Sequence, residues 1–482
     1  MKPALISLGH LPPAVREPDY DPRAVTCGML HLGLGNFHRA HQAVYSDSVL
    51  ARDLSWGICG VSLRTGGAVD ALVGQDCLYS VLERGPAGTQ ARVIGSLREA
   101  LAGNDGVGQA IRRIAAPQTR IVSLTVTEKG YCHDPASGRL AVAHPDIVHD
   151  LARPARPRSA PGVLLAGLAQ RMASGRPLTV LTCDNLPHNG RLVRGLILEL
   201  AEMTNPVLAR WVAANVAFPG TMVDRIVPAA TDADRAAARA CGLDDAAPVA
   251  TEPFTQWVIE DAFAAGRPAW EEAGAQFVTD VTPFELMKLR LLNGAHSAMA
   301  YLGYLAGHET IYQASRDAGL ARMVEALWDE LAPTLTPAPG IDIATYRREL
   351  MQRFRNSALP HRTWQIAMDG SQKLPQRLLG AARERLAANE PVDTIALAVA
   401  GWMRYVAGRD DDGKPIDVRD PLAAEFARVA KASAGNADAL CSGLLALPQV
   451  FGADLPADPR FADATRKQLA RLTSRGVRAN LG

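Results

Sequence analysis

The chain has 482 residues, 48% hydrophobic and 21% charged, with a formal net charge of +1; that length predicts two or three domains of a soluble globular protein. The near-neutral balance gives no support to a nucleic-acid or membrane-surface role, and no apolar run approaches the roughly 18 residues of a membrane span. Seven scattered cysteines form no CxxC pair, which argues against a disulfide scaffold or structural zinc and fits a reducing cytoplasm.

Residues 1–26 are proline-rich and irregular and read as an arm lying on the surface. The start, "MKPALISLGHLPP", has one lysine and an apolar stretch broken by Gly, His and Pro, so no secretory leader is expected. Met29–Leu34 is a short apolar run, Gly33-Leu34-Gly35 is a tight turn, and helical spacing follows from Arg39. Strand, glycine turn, helix is the opening of a dinucleotide-binding fold. "WGICGVSLR" (56–64) reads as the second strand. "ARVIGSL" (91–97), "RIVSLTVTE" (120–128) and "PLTVLTCDN" (177–185) read as further strands, with helical patterns such as "GVLLAGLAQRMAS" (162–174) between them. This alternation predicts a parallel sheet covered on both faces. From about 285, alanine, leucine and charged residues recur with helical period. The expected fold class is α/β: a doubly wound sheet domain over 1–284, with its N-terminal arm, then a mostly α-helical domain over 285–482.

The turn "GLGNFHRA" supplies Gly33 and Gly35, with His38 where a third glycine would stand. Two readings are open. Backbone N–H groups around Gly33, Gly35, Asn36 and Phe37 hold a pyrophosphate, or the segment is a plain β–turn–α corner. The second strand ends "SLRTGG", with Arg64 and Thr65 where an acid is expected for NAD, so NAD and NADP both stay open. Asp53 has the nominal spacing but precedes the strand. Glu128 and Lys129 follow a strand, where they either line a nicotinamide pocket or form a turn. His38 and His41, at i and i+3, have no third ligand in an obvious pattern; helix-entry packing is expected there, and no metal.

The stretch "FELMKLRLLNGAHSAMAY" (284–301) is apolar apart from a few polar residues, among them Lys288, Asn293 and His296. Only seven of the 51 basic residues are lysines. A desolvated ammonium can lose its proton near neutral pH, whereas a guanidinium effectively cannot. On an α-helix the three residues fall at about 0°, 140° and 80°, and Glu285 lies one turn before Lys288. Either Lys and Glu face water and His fills a core position, or the face serves metal-free alcohol–ketone redox. In the second reading the lysine moves the hydroxyl proton, the asparagine amide donates to the oxyanion, the histidine orients a hydroxyl and a nicotinamide carries the hydride.

Together "HLGLGNFHRAHQA", "TVTEKGYCHD", "LTCDNLPHNG", "FPGTMVDRIVP" and K-x4-N-x2-H resemble the polyol-specific long-chain dehydrogenase/reductases, the mannitol dehydrogenase family, from about 28 to 455. "EPFTQWVIEDAFAAGRPAW", "HRTWQIAMDGSQKLPQRLL" and "GWMRYVAG" resemble its fructuronate reductase branch. The resemblance implies a Rossmann-type domain, a helical C-terminal domain and a site in the cleft between them. It implies that Lys288 is the general acid/base, that Asn185 and Asn293 hold the oxyanion, that His296 orients substrate and that Glu285 relays protons. Asp224 and Lys373 are implied substrate contacts. Gln365 stands where mannitol dehydrogenases tend to carry arginine, which leaves the far end of the substrate open. A carboxylate there calls for Arg or Lys, and Arg362, Lys373 and Arg225 are the candidates. The implied protein is a cytoplasmic, metal-independent NAD enzyme, NADP not excluded, interconverting D-fructuronate and D-mannonate. It would be a monomer or small homo-oligomer with no nucleic-acid or membrane partner. The alternatives are a mannitol 2-dehydrogenase and a non-catalytic dinucleotide-binding protein; the Lys288, Asn293, His296 and Asn185 set argues against the latter.

Overall fold

Short apolar runs bounded by glycine, proline and polar turns are too brief for helices, and in the first half of the chain they pair as strands. The computed structural model describes residues 8, 11–63, 66–134, 137–358 and 361–481, and the chain divides into two units, Met1–Thr282 and Pro283–Gly482. In the first unit β1 (Cys27–Leu32), β2 (Gly57–Ser62), β3 (Leu97–Ala102), β4 (Ile121–Leu124), β5 (Leu178–Thr182) and β6 (Val216–Ala217) form an all-parallel sheet. Their order is β3-β2-β1-β4-β5-β6, the doubly wound Rossmann arrangement, which reverses direction between β1 and β4. Leu30, Leu32, Val122 and Leu124 point to one face, where Ile114, Leu164, Leu168 and Leu196 cover them. Met29, Ile58, Ile121 and Leu181 point to the other, under Tyr45, Val49 and Trp56. Burial on both faces is why these strands read as continuous apolar runs.

Two expectations need correction. The strand at 91–97 does not join the parallel sheet. Gly88–Ile94 pairs antiparallel with Tyr79–Gly85 in a separate four-stranded sheet edged by Val15–Arg16 and Val249–Thr251. The cause is local: Gly85 pairs with Gly88 across the two residues Pro86-Ala87, and Gly88 has φ +116°, so the chain turns back at once as a hairpin. The parallel strand in its place is "LREALA", an edge strand carrying Arg98 and Glu99; edge strands tolerate such charges, and they hid it from an apolar-run reading. The N-terminal arm is also not merely laid on the surface, because Val15–Arg16 pairs parallel with Ala91–Arg92; residues 1–7 and 9–10 lie outside the described residues. A third sheet joins Thr221–Asp224, Gln256–Glu260 and Gln276–Val278.

Among the described residues, every element from the helix Thr282–Met287 onward, and so throughout the second unit, is helical. Its centre is the helix Ala295–Leu305, apolar and buried on nearly all sides, as a helix enclosed by others must be. It packs on Ala318–Leu331, Thr363–Ala367 and Asp393–Val406. Two segments, Lys288–Gly294 and Pro375–Leu379, are π-helical and touch each other. No helix among the described residues is long and apolar enough to cross a membrane.

Candidate active site

The first unit gathers its polar groups where β1, β4 and β5 end. Gly33 closes β1 with φ +101°, and a Cβ there would lie 2.0 Å from the Thr125 carbonyl oxygen. Buried His31 joins β1 to β4 through Ser123 Oγ and Thr125 Oγ1, both at 2.8 Å. The Thr125 hydroxyl donates to the Gly33 carbonyl at 2.9 Å, so Nε2 of His31 carries the proton and Nδ1 accepts from Ser123. Burial pushes the His31 pKa down to about 3, which keeps the ring neutral. Gly35 then caps α1 (Asn36–Ala40) with no side-chain hydrogen bond, and α2 (Gln42–Val49) follows after His41. The close glycine approach and a helix start capped by no side chain fit a dinucleotide pyrophosphate.

The side chains around this turn are spent on structure. Asn36 accepts from Arg39 at 2.6 Å and donates to the Pro228 carbonyl, leaving its backbone as the part available to a ligand. Phe37 stacks on His41 at 5.1 Å, and His38 stacks on His31 at 3.4 Å. His41 hydrogen-bonds the Gln256 carbonyl through Nε2 and meets Trp257 edge-on; both histidines pack at the helix entry. Asp53 caps Ser55 ahead of β2. Arg64 and Thr65 lie outside the described residues.

Past β4 and β5, two residues missed in the sequence do much of the positioning. Asp184 accepts from the backbone of Val126 at 2.9 Å and Thr127 at 3.1 Å, and from the Tyr131 hydroxyl at 2.7 Å. It thereby clamps the turn that carries Glu128, in a segment where Thr127 has φ +65°. Asn189 donates to the carbonyls of Asp184 and Thr221 and accepts from the Thr221 amide. It knits the end of β5 to the strand ending at Asp224, which is buried, while Asn185 is exposed. The signal was present, since polar residues directly after a buried apolar strand rarely lack a partner.

Burial, with the charge of Glu128 adding, raises the Asp184 pKa from 3.8 to about 6, against the pull of its hydrogen bonds. The folded state therefore holds this proton more tightly than the unfolded chain. Its stabilising contribution is complete below about 4 and is lost as pH rises through about 6. Urea unfolding of wild type and Asp184→Asn should show wild type losing stability relative to the variant between pH 4 and 7. Parallel curves would refute the shift.

Cys132, His144 and Asp146 lie close enough to share a metal ion. His144 Nδ1, however, accepts the Asp146 amide at 3.2 Å, which places its proton on Nε2 and offers no lone pair to an ion. Arg225, weighed as a carboxylate partner, is consumed within the fold. It donates to the carbonyls of Ala40 and Glu252 and pairs with Glu83.

In the second unit Lys288 is 5% exposed, and Glu285, Asn293 and His296 are each 7% exposed. The α-helical angles expected for them do not hold, because Lys288–Gly294 is a π-helix. There each residue meets the one five further on, not four. The K-x4-N spacing is that π repeat, so Asn293 comes round to Lys288 after one wide turn. The N-x2-H spacing then follows the α repeat of the next helix. His296 stacks on Phe354 at 5.4 Å and meets His361 edge-on at 4.9 Å. Burial holds its pKa well below the ordinary range, and His361, Arg377, Lys373 and Arg353 add to the effect. His361 is likewise pushed down to about 4, by burial and by Lys373. Lys373 Nζ donates to the carbonyls of Ile366 and Met368, and Arg377 donates to Ser297 at 2.9 Å. Arg362 and Gln365 are exposed.

Residues 27–272 match the mannitol dehydrogenase Rossmann domain and residues 280–473 the mannitol dehydrogenase C-terminal domain. The chain belongs to the mannitol dehydrogenase family. It is an oxidoreductase of that family. The D-mannonate oxidoreductase of Escherichia coli is 47% identical over 96% of this chain and 97% of its own length. An uncharacterized oxidoreductase of the same organism, YeiQ, is 47% identical over 97% and 96%. The mannitol 2-dehydrogenase of Pseudomonas fluorescens, solved with NAD and D-mannitol, is 40% identical and superposes with a TM-score of 0.90 over 98% of this chain and 96% of that one.

Proposed function

We propose that this member of the mannitol dehydrogenase family is a cytoplasmic, NAD-dependent oxidoreductase that interconverts D-fructuronate and D-mannonate. The observation that carries the substrate is the surroundings of His296, where Arg377 reaches the neighbouring Ser297 hydroxyl at 2.9 Å and the Asn293 carbonyl at 3.4 Å, and Lys373 and Arg353 add further positive charge. A neutral polyol has no use for that field, whereas a sugar acid brings a carboxylate to it. The 47% identity to a D-mannonate oxidoreductase supports the same reading. NAD, when bound, supplies or accepts the hydride. Backbone amides around Gly33 and Gly35 would hold its pyrophosphate, and Glu128 would line the nicotinamide pocket. Lys288 takes the hydroxyl proton during oxidation and returns it during reduction. Asn293 and Asn185 donate to the oxyanion, His296 orients a neighbouring hydroxyl, and Glu285 passes protons to Lys288. Asp224 and Lys373 complete the substrate contacts, and Arg362 and Gln365 meet its far end. No metal is needed in this scheme.

Likeness to a mannitol 2-dehydrogenase solved with D-mannitol supports a second reading, mannitol and fructose as substrates. Steady-state assays of fructuronate against fructose, each with NADH and NADPH, separate the two. Fructuronate should lead by at least about 100-fold in kcat/KM, because a site built for a charged group discriminates strongly against its absence. Fructose turned over equally well would remove the first reading.

A further inference from the structure

A π-helix costs its segment regular backbone pairing, and something outside must satisfy the carbonyls released. In an α-helix the Ala295 N–H would bond the Leu291 carbonyl. Here it goes to Leu292 instead. The Leu291 carbonyl accepts from the indole N–H of Trp328 at 2.8 Å, and both residues are fully buried. Close by, Arg377 reaches the Asn293 carbonyl at 3.4 Å. Trp328 has a second contact of the same sense. Its ring stacks on Phe354 at 6.5 Å and 18°, and Phe354 stacks on His296 at 5.4 Å. One side chain, on the helix Ala318–Leu331, thus bears on both the wide turn and the imidazole.

We propose that Trp328 is a positioning residue for the reaction: its N–H holds the π-turn that carries Lys288 and Asn293 onto one face, and its ring, through Phe354, sets the plane of His296. The inference rests on the proposed role of Lys288. Relaxation of the turn toward α-helical pairing would rotate Asn293 away from Lys288, and displacements of about 1 Å at reacting groups cost about 100-fold in rate.

Trp328→Phe keeps an aromatic ring and removes the donor. Its kcat for keto-acid reduction should fall about 100-fold, with KM for NADH unchanged and the pH profile of kcat displaced. Replacement of Trp328 by benzothienylalanine, in which sulfur takes the place of the N–H at constant shape, should give the same loss. That variant decides the matter if the phenylalanine variant does not fold. Trp402→Phe truncates another fully buried indole of the same unit and should leave the profile where it was. A wild-type kcat and pH profile in the benzothienyl enzyme would overturn the proposal, even with a lowered melting temperature. Lys288→Ala assayed beside it keeps the two claims apart. If that variant is active, the acid/base role fails; if it is dead while the benzothienyl enzyme is normal, only the positioning role fails.

Discussion

Lys288→Ala is expected to bind NADH as wild type does and to turn over about 100- to 10,000-fold more slowly at neutral pH, the usual contribution of a positioned acid/base. The side chain is 5% exposed on a π-turn, with Glu285 and Asn293 buried near it in the sequence. Alanine removes the amine and leaves a good helix former, so lost activity would not report lost fold. Fluorescence titration with NADH checks cofactor binding, and circular dichroism checks the fold. The pH dependence that the amine imposes on kcat should vanish with it. Wild-type turnover in this variant would end the acid/base assignment and the scheme built on it.

Gly33→Ala should abolish cofactor binding and strongly destabilise the first unit. At φ +101° a side chain is strained by about 1–3 kcal/mol, and its Cβ would overlap the Thr125 carbonyl at 2.0 Å, adding a similar overpacking cost. Neither partner can retreat easily. Thr125 is tied to the Gly33 carbonyl and to His31, and His31 is held in turn by Ser123 and by stacking on His38. The strain therefore falls on the β1–α1 turn, where the pyrophosphate would sit. Chemical denaturation and NADH titration read the two effects separately. An unshifted midpoint with unaltered NADH affinity would show that this turn tolerates a Cβ and does not approach β4 as described.

The candidate residues that the sequence exposes, and the positioning residues it hides, divide along physical lines. Gly33 and Gly35 were legible because a short apolar run followed by glycines constrains its own backbone. Lys288, Asn293 and His296 were legible because polar groups are costly inside an apolar helix. Asp184 was passed over in favour of its neighbour Asn185, since nothing local says which of two adjacent polar residues turns inward. Its partners, Val126, Thr127 and Tyr131, lie more than fifty residues away. Arg225 erred in the opposite direction: a plausible carboxylate partner by type, it is occupied by Ala40, Glu83 and Glu252.

By itself the sequence determined the apolar strands at the centre of the parallel sheet and the helical character of the second half, because periodicity, glycine and proline act within a few residues. Tertiary structure decided which strands share a sheet, as the departure of Gly88–Ile94 from the parallel one makes plain. It also decided the wide turn at Lys288–Gly294. An α-turn and a π-turn differ by one carbonyl partner, and here that partner is an indole 37 residues along the chain, a contact that no local pattern can encode.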